Sequence, residues 1–330
     1  MNPDISAASA SHIADWPAWH SPVSGQPLTL QGDRLVAADG EEFPVINGIP
    51  RFVGAEEYCT NFGAQWNRFP LTQLDSVSGL TITSERLRRC LGQAVWNRLA
   101  SMQVLECGCG AGRFTEILLR EGAIVTSVDI SSAVDANAKN FPISGNHRIA
   151  QADILQLPFE PRQFDCVMCL GVIQHTPDPE QTIASLYQQV KPGGFLVIDH
   201  YTFHWGRVTS TRPIFRFYLR RMSPKSAELA VERLVDRFLP WHKRFEHNRL
   251  GWQLLCRLSP ITNYYRVFTQ FTDQQHREWA LLDTHDSLTD WFKHLRSSQQ
   301  IRETLEGLGL VDLWVAKEGN GIEARGRRPA

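Results

Sequence analysis

The chain has 330 residues, 42% of them hydrophobic and 21% charged, the balance of a globular protein with a substantial core. A formal net charge of -1 gives no global electrostatic case for nucleic acid or an anionic membrane as partner. The longest central apolar run, residues 166–173, is too short to span a bilayer, and residues 1–6 lack the basic start of a secretion signal, so a cytoplasmic location is expected.

Residues 1–55 hold short strand-like pieces between turn signals: Pro22, Gly25 and Pro27, then Asp39-Gly40, then Asn47-Gly48 and Pro50. Spacing of this kind predicts a small β module. A core with alternating strands and helices is expected over residues 56–200. Leu87, Leu91, Val95 and Leu99 share one helical face behind Ser84, a candidate N-cap. A strand at 103–105 runs into a glycine-rich turn and a helix at 113–121. Further strands are expected at 124–128, ahead of Asp153, and at 164–170. A helix through Ile183, Leu186 and Val190 meets a stop signal at Lys191-Pro192-Gly193-Gly194, followed by the strand 195–198. This rhythm predicts an α/β fold with a parallel sheet and helices on both faces.

Residues 201–295 break the rhythm with Arg-, Trp- and Phe-rich sequence that reads as a helical insertion. Residues 296–330 resume it with a helix near 298–307 and two strands around Asn320-Gly321, a hairpin signal that adds an antiparallel pair to the sheet. Among seven cysteines, Cys166 and Cys169 stand three apart on a strand and so face opposite ways. They are expected to be buried, reduced thiols, and no metal site is expected.

The run Glu106-Cys107-Gly108-Cys109-Gly110-Ala111-Gly112-Arg113 follows a strand and opens a helix. A dinucleotide fingerprint wants glycine at its sixth position, where Arg113 stands, which argues against a dehydrogenase. Glycine at every second position after an acid resembles the first motif of class I S-adenosylmethionine-dependent methyltransferases. Four further segments resemble that family in order and spacing: Asp129 at the end of the second strand, Asp153 in Ala152-Asp153-Ile154, the fourth strand through Leu170, and Lys191-Pro192-Gly193-Gly194.

The resemblance implies a doubly wound, Rossmann-like core with a seven-stranded, mostly parallel sheet. It also implies S-adenosyl-L-methionine as cofactor. The site it implies comprises Glu106, Gly108, Cys109, Gly110, Gly112, Arg113, Asp129, Ile130, Asp153, Ile154 and Leu170, with Asp129 on the ribose hydroxyls and Asp153 on the adenine amine. Acceptors rather than an anion cradle suit a cofactor that is uncharged in those parts. Residues 43–52 are similar to the end of Trm112-like zinc-ribbon modules, in which a Cys-Pro-x-Cys knuckle stands where this chain has Ser21-Pro22-Val23-Ser24, so the module is expected without its metal. Residues 62–69, with Gln65 and Trp66, resemble the element that covers the cofactor in the same group.

Candidate bases lie near strand ends: His200 after the fifth strand and the His285–Asp286 pair in Asp283-Thr284-His285-Asp286 lead, while His175 after the fourth strand is expected rather to line the cofactor. Residues 207–249 hold eleven Lys or Arg against four acids, either a solvated helical face or a funnel for an anionic substrate. The expected acceptor is a small molecule of anionic or sugar-like kind, methylated at O, N or C. A tRNA or other nucleic-acid acceptor and a cofactor-binding subunit without activity stay open as alternatives. The Asp/Asn-Pro-Pro-Tyr type motif of amino-directed enzymes is missing after the fourth strand. A membrane is not the expected partner, and oligomeric state is left open, a homodimer included.

Overall fold

The computed structural model describes residues 16–53, 60–203, 209–319 and 321–330. The start of the chain, the expected boundary near residue 55, the first part of the insertion and Asn320 of the expected Asn-Gly turn lie outside the described residues. Turn residues cut the first segment into β1 (Leu28–Gln31), β2 (Arg34–Ala37), β3 (Glu42–Ile46) and β4 (Ile49–Pro50), an antiparallel sheet in chain order. Ile46 faces Ile49 across Asn47-Gly48, whose φ angles of 53° and 78° are those a two-residue hairpin turn requires. Leu28, Leu35, Phe43 and Phe52 join one buried cluster with the strands of the main sheet, so the module has no core of its own.

Three helices follow: α1 (Thr60–Arg68), α2 (Asp75–Ser78) and α3 (Ile82–Trp96). Ser84, the expected N-cap, sits inside α3 instead. The Asp75 carboxylate caps the helix from outside, accepting the Thr83 and Ser84 amides at 2.9 and 2.8 Å. An acid there also complements the positive end of the helix dipole.

The core then alternates β5 (Gln103–Cys107), α4 (Thr115–Arg120), β6 (Ile124–Asp129), α5 (Ala133–Asn140), β7 (His147–Gln151), β8 (Phe164–Cys169), α6 (Pro179–Gln189) and β9 (Val190–Tyr201). The insertion supplies α7 (Arg212–Leu219), α8 (Pro224–Arg244), α9 (Arg249–Leu258) and α10 (Asp273–Thr289), and the chain ends with α11 (Ser298–Gly307), β10 (Val311–Glu318) and β11 (Gly321–Arg327). The seven-stranded sheet has the order β10-β11-β9-β8-β5-β6-β7, and β11 runs against its neighbours β9 and β10. The hairpin therefore does not simply extend the edge. Its second strand, which buries Ile322 and Ala324, takes the inner place, while the more exposed β10 is left outside.

Lys191 to Gly194 interrupt the pairing of β9 with β8, whose register jumps from Phe164–Val190 to Cys166–Phe195, and Gly193 takes a φ of 77°. β9 starts at Val190, and the glycines pair with the chain terminus, Gly193 N donating to Arg328 O and Arg328 N to Gly194 O. Strand alternation sorts the core into two layers. Leu105, Cys169 and Ile198 face α6 and α11, whereas Val104, Cys166 and Val197 face α3 and α4. The two cysteines thus point to opposite faces, both buried and free. The insertion has a third cluster, with Val231, Val235, Tyr265 and Leu281 at its centre. No helix among the described residues is long and apolar enough to cross a membrane. Strand order reverses between β5 and β8, which opens a crevice at their C-terminal ends.

Candidate functional site

That crevice holds a cavity of about 190 Å³. One wall comes from the loop after β5. Gly108 and Cys109 donate their amides to the Val128 carbonyl at 2.7 and 3.1 Å, which ties the loop across to β6. Gly110, with φ of 51°, donates its amide to Asp129 Oδ2 at 2.9 Å. A Cβ on Gly110 would lie 3.2 Å from the Trp66 ring, so only glycine keeps this backbone open between the strand end and α1.

Asp129 ends β6, its other oxygen accepting the Ser131 amide and hydroxyl at 2.9 and 2.7 Å. Asp153, one strand over, caps the 3₁₀ turn Ile154–Gln156 by accepting Leu155 N at 2.9 Å. Gly108, Cys109, Gly110, Arg113, Asp129, Ile130, Asp153, Ile154, Leu170, Gln65 and Trp66 all line the cavity. Of the expected donor-site residues, Glu106 and Gly112 do not.

Glu106 turns into the protein. Its Oε2 accepts Thr115 Oγ1 at 2.5 Å and Ser127 Oγ at 3.2 Å. Burial pushes its carboxyl up to about 7, against the pull of those hydroxyl bonds. Below the ordinary value near 4.5 both folded and unfolded chains hold this proton. Between there and about 7 the unfolded chain loses it first, so stability falls as pH rises, by roughly 3 kcal/mol. Glu106→Gln is expected to flatten that fall. Urea denaturation at pH 5 and 7.5 checks this, and identical pH slopes in variant and wild type would count against it. Gly112 packs inward as well, since a Cβ there would lie 2.7 Å from the Phe141 ring.

The opposite wall is polar. His175, from the 3₁₀ turn Ile173–His175, is buried with Nδ1 at 3.2 Å from Phe292 O and 3.3 Å from Asp290 Oδ2. Its Nε2 lies 3.9 Å from Asp286 Oδ2, which also accepts the Tyr201 hydroxyl at 3.4 Å. Burial pulls the His175 imidazole down, but Asp286 and Asp290 outweigh it and raise it above its ordinary value. Burial alone would raise Asp290. The hydrogen bond from His175 and the charges of Lys293 and Arg216 hold it below the usual carboxylate range.

Asp283 and Asp286 sit on α10, ahead of the last helix, and their spacing puts both on the face toward the cavity. Burial pushes the Asp283 carboxyl up to about 6, while the Tyr264 hydroxyl donates to it.

Two expected bases are elsewhere. His200 is buried on β9 between Asp199 and Tyr201, and strand alternation turns its ring away from the cavity that Tyr201 lines. Burial pushes its imidazole down to about 4, so it is neutral at pH 7. His285 lies on another side of α10 from Asp286 and bonds the Gln65 side chain, Nδ1 to Oε1, at 2.7 Å. It supports the back of α1 and does not line the cavity.

Arg86 was not singled out in the sequence, yet it reaches the cavity from α3. It is tied to the Asp199 carboxylate, whose other oxygen accepts Gly171 N at 2.6 Å, and Glu323 stands 3.6 Å from its Nε. Nothing local marks such a residue, because its partners lie more than a hundred positions away. Among the described residues, no Lys or Arg of the insertion lines the cavity. Its cations are Arg86 and Arg113.

Residues 105–198 match the family model described as "Methyltransferase domain". Curated relatives named "Ubiquinone biosynthesis O-methyltransferase" include one from Pseudomonas putida, 37% identical over 102 residues, with 29% of this chain and 43% of that protein covered. Another, from Saccharophagus degradans, is 36% identical over 100 residues, covering 29% of this chain and 42% of that one. The match thus spans less than half the length of these relatives. Among solved structures, an N-methyltransferase, NodS, from Bradyrhizobium japonicum, in complex with S-adenosyl-L-homocysteine, is 16% identical, covering 75% of this chain and 86% of that one at a TM-score of 0.40. The segment that matches this methyltransferase-domain model carries the glycine loop and both strand-end carboxylates.

Proposed function

We propose that the whole chain transfers a methyl group from S-adenosylmethionine to a nucleophile, most simply a hydroxyl, of a small molecule. One observation carries this reading. Asp129 and Asp153, at the ends of neighbouring strands, line one cavity with the open backbone of Gly108 and Gly110. Acceptor-only groups suit ribose hydroxyls and an adenine amine. Arg113 has its Nε and Nη1 hydrogen bonds on neutral partners, Thr83 and Gln73, both at 3.0 Å. Burial lowers it to about 10, so it is still a cation at pH 7 and serves the carboxylate of the donor's amino-acid tail. Gln65 and Trp66 cover the same space from α1.

When bound, the donor supplies a methyl group already activated on a sulfonium. The protein's part is then to hold an acceptor in line, which can be worth about 7–11 kcal/mol in well-oriented systems, and to take its proton. In this reading His175 is the base, its ring set by Asp290 and its charged form favoured by Asp286, with Tyr201 beside the acceptor. The carboxylates Asp283 and Asp286 favour a hydroxylated, sugar-like acceptor over an anionic one. Residues 16–53 read as a Trm112-like module closed by hydrogen bonds, because Ser21 and Ser24, at the knuckle positions, both bond the Glu41 carboxylate.

Titration of the full chain with S-adenosylhomocysteine tests the reading. Saturable heat from a single site and a raised melting temperature are expected. Neither signal at millimolar ligand would sink it.

A further inference from the structure

Outside the cavity, exposed apolar side chains concentrate on two helices of the insertion. α9 buries none of its residues. Leu250, Leu254 and Leu258, one per turn on a single face, are 79%, 61% and 54% exposed. On α7, Ile214, Phe217 and Tyr218 are 60%, 51% and 61% exposed. The two rows meet where Thr211 donates its amide to Arg257 O and its hydroxyl to Leu258 O, both at 2.9 Å.

Charge is segregated on the same elements. Residues 209–227 and 247–272 contain eight Lys or Arg and no Asp or Glu, in a chain whose formal net charge is -1. Arg212 and Arg216 turn inward, to Ile261 O and to Asp290, whereas Arg221, Lys225, Arg249, Arg257 and Arg266 are exposed.

We propose that α7 and α9 dock this protein on an anionic lipid surface, with the apolar rows in the headgroup boundary and the flanking cations on phosphate. The proposal stands apart from the methyl-transfer reading. A row of large apolar side chains edged by arginine, with no carboxylate on either segment, is the pattern of a helix that lies in a bilayer interface. A second copy of the chain would bring the same cations face to face, which the absence of acids leaves uncompensated.

Flotation of the full chain with vesicles tests this, using phosphatidylcholine alone or mixed with about one-third phosphatidylglycerol. The wild type is expected to float with the anionic vesicles, and less so as salt rises from about 0.1 to 0.5 M. The double variant Leu250→Glu, Leu254→Glu should lower binding about tenfold or more at an unchanged melting temperature, since both side chains already face solvent. Arg249→Gln with Arg257→Gln should cost about fivefold per arginine. A wild type that ignores both vesicle types overturns the proposal, as do leucine variants that float like wild type. Self-association lost in the leucine variants without vesicle binding also overturns it.

Discussion

Asp129→Ala is expected to abolish measurable binding of S-adenosylhomocysteine. The carboxylate has two jobs. It faces the cavity as an acceptor, and it holds the glycine loop through the Gly110 amide at 2.9 Å. Hydrogen bonds to a charged partner are worth about 1.5–3 kcal/mol each, so losing two ribose contacts weakens binding by roughly 10² to 10⁴-fold. Loosening of the loop adds to that. Asp129→Asn keeps the size and one acceptor oxygen, and should retain intermediate affinity. Asp153→Ala, with one proposed contact, should lose less than Asp129→Ala, roughly 10 to 100-fold. Calorimetry against the same ligand ranks the three, with melting curves to show that each variant folds. Wild-type affinity in Asp129→Ala would remove the carboxylate from the donor site.

Asp286→Ala is expected to leave donor binding within about twofold and to slow methyl transfer by roughly 10²-fold, the lower end of what a positioned base contributes. The pH dependence separates this from general damage. His175 is raised above its ordinary 6.5, with Asp286 first among the causes that raise it. As a base it works only when neutral, so the rate should climb with pH and level off above its raised pKa. Without Asp286 the imidazolium loses a stabilising charge and the rising limb moves to lower pH. Chemical-shift titration of the His175 ring reads the same change without any acceptor. If the ring titrates as in the wild type and the rate is unchanged, Asp286 has no part in proton removal.

Features that depend on short-range pattern were legible in the sequence. The alternation of strand and helix, the glycine loop, and Asp129 and Asp153 at their strand ends each need only a few neighbouring residues. Period-two and period-3.6 patterns and turn glycines act within that range. The polar wall opposite was legible only in part, for different reasons at different residues. His200 and Tyr201 are adjacent in sequence, but the strand's alternation sends one inward and the other to the cavity. Asp283, His285 and Asp286 look like one cluster when read by their spacing in the sequence alone. Wound into α10, the two acids share a face and the histidine turns to Gln65.

Local sequence, by itself, determined the fold class and the place of the glycine loop after its strand, because alternating periods and turn glycines act within one strand-loop-helix unit. Tertiary structure alone assembled the polar wall opposite. There Arg86 from α3, His175 after β8, and Asp286 and Asp290 at the end of the insertion converge from distant parts of the chain. Burial and charge at that meeting point, rather than residue type, determine which histidine can hold a proton.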